Sequence, residues 1–131
     1  MNGRLYNWYA VNDSRNIAPA GWHIPSDAEW TTLESFLGGG TVAGGKLKET
    51  GSVHWCNPNV GATNESGFKV LPGGTRTDIF FLPGCQWGTF WSSTESDAGN
   101  SYNRIMFDTG PEINRVSNNK KFGMSVRCIK D

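Results

Sequence analysis

Three cysteines and two histidines are the side chains best suited to chemistry, and their spacing assembles no familiar reaction centre. Cys56, Cys85 and Cys128 are odd in number and widely separated, with no Cys-x-x-Cys pair. That spacing excludes a zinc knuckle and a thioredoxin-type motif. One disulfide beside a free thiol, and three reduced thiols, remain alternatives that depend on the redox compartment. Cys128, in the apolar run Ser-Val-Arg-Cys-Ile, reads as a buried core thiol. His54-x-Cys56 offers half of a metal site, which needs two further ligands, so it reads as a loop pair beside Trp55. His23 follows Trp22 in a link rich in Pro and Gly, and reads as a hydrogen-bonded structural histidine. No nucleophile with an adjacent base is apparent. The expectation is therefore a non-enzyme with no catalytic residue, metal or cofactor.

Such residues need a scaffold, and composition indicates its kind. At 131 residues the chain suits one core, so residues 1–131 are expected to form a single domain. Leu, Ile and Val are scarce, but six Trp, seven Phe and three Tyr supply large apolar area instead. Twelve Lys+Arg balance twelve Asp+Glu. A neutral chain lacks the positive field that nucleic acid requires. No apolar run approaches the roughly 18 residues of a membrane span. Met1-Asn2 leads directly into patterned sequence, so an excised domain or a chain lacking its targeting segment is expected.

Local signals place helices early and strands late. Arg4 to Val11 is rich in β-formers and predicts an opening strand. Trp22 and Ile24 are expected to point inward from an extended link. Ser26 and Glu29 form a capping box, and Trp30, Leu33, Phe36 and Leu37 recur at helical spacing, predicting one buried face over residues 27–37. Gly38-Gly39-Gly40 ends that helix. A weaker helix is predicted over Val42 to Lys48 despite Gly44 and Gly45. Residues 49–67 read as loop, packed down at Trp55. Phe68 to Leu71, Phe90 to Ser92, Tyr102 to Phe107, Ile113 to Val116 and Met124 to Ile129 are strand candidates. In Tyr102 to Phe107, the row Tyr102, Arg104, Met106 alternates with Asn103, Ile105, Phe107. Together these segments predict an α+β fold with a small twisted, mainly antiparallel sheet.

The ordered series GRLYNWYAV, GWHIPSDAEW, GGKLKETG, ATNESGF, LPGG, WSSTE and SVRCIKD resembles the Fibrobacter succinogenes major paralogous domain family across residues 3–131. That resemblance implies a C-type-lectin-like fold, shared with formylglycine-generating enzymes and some hypervariable ligand-binding proteins. It also implies a secreted or surface-anchored bacterial setting, a phage virion included. Calcium-dependent lectins of that superfamily present dense carboxylates, which a hard cation requires. The nearest strings here, Asn57-Pro58-Asn59 and Trp91-Ser92-Ser93-Thr94-Glu95, lack them. Asn57, Asn59 and Asn64 read instead as turn formers. An enzyme like the formylglycine generators would need reactive cysteines close together and ranks last.

Residues 96–119, between WSSTE and FGMSVRC, carry much of the polar and idiosyncratic sequence. The bland reading is a solvated hairpin. The sharper reading takes from the resemblance that retroelement-diversified relatives vary their C-terminal segment on a rigid fold. Its candidate binding residues are Ser96, Asp97, Asn103, Ile105, Phe107, Asp108, Glu112, Asn114, Ser117 and Asn119, with a protein or glycan at a surface as partner. Trp87 is the tryptophan expected to be exposed. The competing class is a structural or adhesin accessory domain with no small-molecule site.

Overall fold

The computed structural model describes residues 3–82 and 84–131. The opening segment is not the strand that its β-formers predict. Tyr6 alone pairs in strand fashion, exchanging backbone hydrogen bonds with Met124 at 2.8 and 3.0 Å. The Asn7 side chain then accepts from the Ala10 N–H and starts a one-turn helix, α1 (Trp8–Val11). A local cap of this kind competes directly with extended backbone. Trp8 is buried and donates its indole N–H to the Ser92 carbonyl at 2.9 Å.

Two residues further along form β1 (Trp22–His23), which pairs antiparallel with β7 (Ile129–Lys130) at the opposite end of the chain. Ile24 is buried as expected, but Trp22 is 41% exposed. In the two-stranded β1–β7 ribbon, Trp22 has only β7 as a strand neighbour, which leaves its ring part-covered.

The capping box forms as the sequence predicts, with Ser26 and Glu29 satisfying each other's backbone N–H groups at the start of α2 (Asp27–Phe36). Trp30 and Leu37 are buried and Leu33 packs beside them, whereas Phe36 is 84% exposed. At about 100° per residue, Leu33 and Leu37 stand within about 60° of Trp30, while Phe36 is about 120° away. Gly38 and Gly39, at φ 103° and 96°, turn the chain immediately into α3 (Gly40–Leu47). Gly44 and Gly45 weaken that helix intrinsically but let it seat closely. A Cβ at Gly44 would collide with the Glu112 carbonyl, and one at Gly45 with the Gly61 carbonyl.

Phe68 to Leu71 contributes one parallel bridge, Lys48 to Val70, rather than a strand. After it comes a short hairpin, β2 (Thr75–Arg76) with β3 (Phe81–Leu82). The larger sheet is antiparallel and consecutive: β4 (Trp87–Glu95), β5 (Asn100–Phe107) and β6 (Ile113–Asn119). Met124 to Ile129 is mostly bridging loop, with Met124 paired to Tyr6 and Ser125 to Phe90, and only Ile129 inside β7. Early helices and late antiparallel strands give the α+β class. No helix among the described residues is long and apolar enough to cross a membrane.

Alternation along β4 divides the interior. Phe90 joins Trp30, Leu47, Trp55, Val70, Met106 and Ile113 on the helix side. Its neighbour Trp91 joins Trp8, Ile24 and Met124, gathered from the two ends of the chain. The sheet therefore has a helix side and a terminal side, each with its own aromatic cluster.

Candidate binding face

On the helix side, Arg104 and Met106 of the row Tyr102, Arg104, Met106 are closed, and Tyr102 is half-buried. Met106 is buried, and so is Arg104, at 0% exposure. The Arg104 guanidinium donates to Asp27 Oδ1 at 2.7 Å, to Thr31 Oγ1 at 3.1 Å and to the Glu34 carboxylate. Arg115, opposite it on β6, also pairs with Asp27 at 2.9 Å and lies 3.6 Å over the Tyr102 ring. Burial alone would raise the Asp27 pKa, but hydrogen bonds from Arg115 and Arg104 hold it below the ordinary carboxylate value. These charges fasten α2 to the sheet.

The terminal side is covered unevenly. Asn103 is buried, with its amide 2.9 Å from the Met124 sulfur, beneath the Tyr6–Met124 crossing. Beyond it the cover thins over β5, although Thr89 of β4, opposite Ile105, stays buried against Gly74 and Thr75. Ile105 is half-buried and Phe107 is 37% exposed. Phe107 stands opposite the half-buried Trp87, and Val116, opposite Asn103, lies on the same face. Exposed Asn114 pairs with Ile105 across the strands. Thus half-buried Trp87, Ile105 and Val116, with exposed Phe107 and Asn114, form a partly open, mostly apolar patch across three strands. Phe80 and Phe81 of the adjoining hairpin are exposed as well.

The ten candidate residues therefore separate. Ile105, Phe107 and Asn114 lie on the open face. Asn103 does not, and nor does Asp108, which is buried where its N–H meets the Gln86 carbonyl and its carbonyl receives the Val60 N–H. Their burial comes from segments distant in sequence. Asp97 accepts from Gly99 and Asn100 and shapes the β4–β5 turn, while Ser96 bonds Ser117 at 2.5 Å on the helix side. Asn119 accepts from Lys121, and Glu112 is exposed in the β5–β6 connection. Val116 escaped sequence reasoning, although its β-branch between Asn114 and Asn118 follows the strand period.

Lys48 was also missed. Its ammonium is fully buried and donates to the carbonyls of Phe107, Val60 and Gly110 at 2.8, 2.9 and 2.9 Å. Burial lowers its pKa, while the charges of Asp108 and Glu112 act in the opposite sense. It ties one end of the open face to the 49–67 loop. That loop is further secured by buried Asn59, whose amide donates to the Glu49 and Gly51 carbonyls. Asn59 and Asn64 adopt positive φ, as turn formers do. Lys120 serves the other end of the sheet, donating to Glu95 and the Ala98 carbonyl beneath Trp8.

The groups with chemical potential are engaged elsewhere. His23 holds Glu29 at 2.9 Å and Asp131 at 2.6 Å with its two nitrogens, and those carboxylates raise its pKa, Glu29 first. His54 contacts Glu49 at 2.7 Å. Cys56 and Cys85 form a disulfide, leaving Cys128 free. Cys128 is half-buried against the Trp8–Trp91 cluster rather than fully buried, and burial raises its pKa. Among the described residues, no group of three or more His, Cys, Asp or Glu could hold a metal ion. A cavity of about 540 Å³ opens beside α2, lined by Trp30, Leu33, Phe36, Phe68 and Ile129 among others. Its size suits a small molecule, but Glu29 at its edge is already bonded to Ser26 and His23.

Neither curated proteins nor solved structures match this chain. The family model described as the Fibrobacter succinogenes major domain matches residues 1–130, and the chain belongs to that family.

Proposed function

We propose that this protein is a non-catalytic extracellular binding or display module with a C-type-lectin-like fold, whose ligand contacts lie on the open terminal-side face of the sheet. The observation that carries this reading is the partly exposed patch of Trp87, Ile105, Phe107 and Val116 beside Asn114. Aromatic and aliphatic anchors in a polar surround are where binding energy concentrates. Strands held by Lys48 and Arg104 present those side chains at little ordering cost on binding. The Cys56–Cys85 disulfide supports an oxidising, surface-exposed setting. A protein or glycan surface is the ligand class, and retroelement-driven diversification of this face is part of the proposal.

Sequencing many copies of the locus tests it. Changes should concentrate at positions 87, 105, 107, 114 and 116, while Asn103, Arg104 and Met106 stay fixed. An even spread over buried and open rows would overturn the display reading and favour an accessory structural domain.

A further inference from the structure

A groove of about 320 Å³ lies between the N-terminal segment, Lys69–Leu71 and residues 125–127, and three cations line it: Arg4, Lys69 and Arg127. No acidic residue lines it among those described. In a chain whose charges cancel overall, that is a local excess of one sign, and like charges held together repel. Each cation is presented differently. Arg127 is fixed, with its guanidinium 4.6 Å over the Phe68 ring and a 2.7 Å hydrogen bond to the Phe68 carbonyl.

Lys69 sits at φ 55°, in the left-handed region that residues with a β-carbon avoid, and its N–H is held by Asn64 Oδ1 at 2.8 Å. Strain of this kind persists where the surroundings enforce it, often at ligand sites. Its ammonium reaches Glu49 at 3.4 Å, but that carboxylate also serves His54. Arg4 is exposed and makes no side-chain hydrogen bond or ion pair among the described residues. Leu71 and Phe90 supply an apolar wall.

We infer that this groove binds a compact oxyanion, a sulfate, phosphate or carboxylate, on a small ligand whose apolar part lies against Leu71. Guanidinium groups match the geometry of such anions, giving charge-assisted and often paired hydrogen bonds. The groove shares no residue with the open sheet face, so the two readings stand or fall separately.

Arginine side-chain and backbone amide NMR signals should be followed while sulfate, phosphate or glucuronate is added at constant ionic strength, with glucose as the neutral control. At least one anion should give saturable shifts at Arg4, Lys69 and Arg127, and the tightest of the three identifies the oxyanion type. Glucose should give none. Arg4→Gln should weaken that binding roughly tenfold or more, the scale of one lost hydrogen bond to a charged group, with an unchanged melting temperature. Absence of saturable shifts with all three anions, or equal affinity in Arg4→Gln, would overturn the assignment.

Discussion

On the helix side of the sheet, Arg104 and Met106 lie beneath α2, with the Arg104 charge matched by Asp27 and Glu34. On the terminal side, the row Asn103, Ile105, Phe107 is covered at Asn103 and open at Phe107. The same eight-residue strand supplies both rows. Strand alternation decides which side a residue takes, but the elements laid over that side decide its burial. Hence a charged Arg is buried and a Phe is exposed, the reverse of what residue type alone suggests. Arg104 and Met106 are fully covered on one face of β5, whereas on the other face cover is complete at Asn103 and partial at Ile105 and Phe107.

Truncation on the closed side should have the largest effect. Trp30→Ala removes an indole packed about 6 Å from the Phe68 and Phe90 rings, centroid to centroid. Urea unfolding should show a loss of roughly 3–5 kcal/mol, the range for large core truncations. A transition unmoved from the parent's would contradict the α2 core.

Arg104→Met sharpens the contrast electrostatically. It fills similar volume but removes the buried partner of Glu34 and leaves Asp27 with Arg115 alone. A loss of about 3 kcal/mol is expected, at the lower end for one-sided breaks of buried pairs, because both carboxylates keep some solvent contact. Unfolding in the same urea series measures it. Stability equal to the parent's would mean the closed side depends on apolar packing alone.

A smaller, pH-dependent effect should appear where His23 joins α2 to the C-terminal strand. Its folded pKa lies above the ordinary 6.5, so its contribution is fully present below that value and is lost as pH rises through the folded pKa. Melting temperature should therefore decline modestly as pH rises above about 6.5, and His23→Gln should flatten that slope. An identical slope in the variant would remove His23 from the account.

Legibility in the sequence followed the range of the interactions. The capping box at Ser26 and Glu29 was readable because both partners lie within one helical turn. The alternation in Tyr102 to Phe107, and the early-helix, late-strand order, were readable for the same reason. Asn7 overrode the β-formers around it by a cap three residues long. Asn103, Asp108, Lys48 and Arg104 were not readable as buried, since their partners lie far along the chain: Lys48 bonds Phe107, 59 residues away, and Arg104 bonds Asp27, 77 away. The candidate face was half legible. Strand period put Ile105 and Phe107 in one row but left open which row faces out. Asn114 stood out only as a polar residue of the 96–119 segment. The limit of the cover over Asn103 depends on Tyr6 and Met124, which only the fold brings together.

The central claim is that the terminal-side row is open, and replacing Ile105 and Phe107 together by Ser tests it most directly. Equilibrium urea unfolding of Ile105→Ser/Phe107→Ser should give a cooperative transition within about 1.5 kcal/mol of the parent, as for partly exposed positions. A loss of several kcal/mol, or a chain unfolded at room temperature, would show that this row belongs to the core and contradict the binding face.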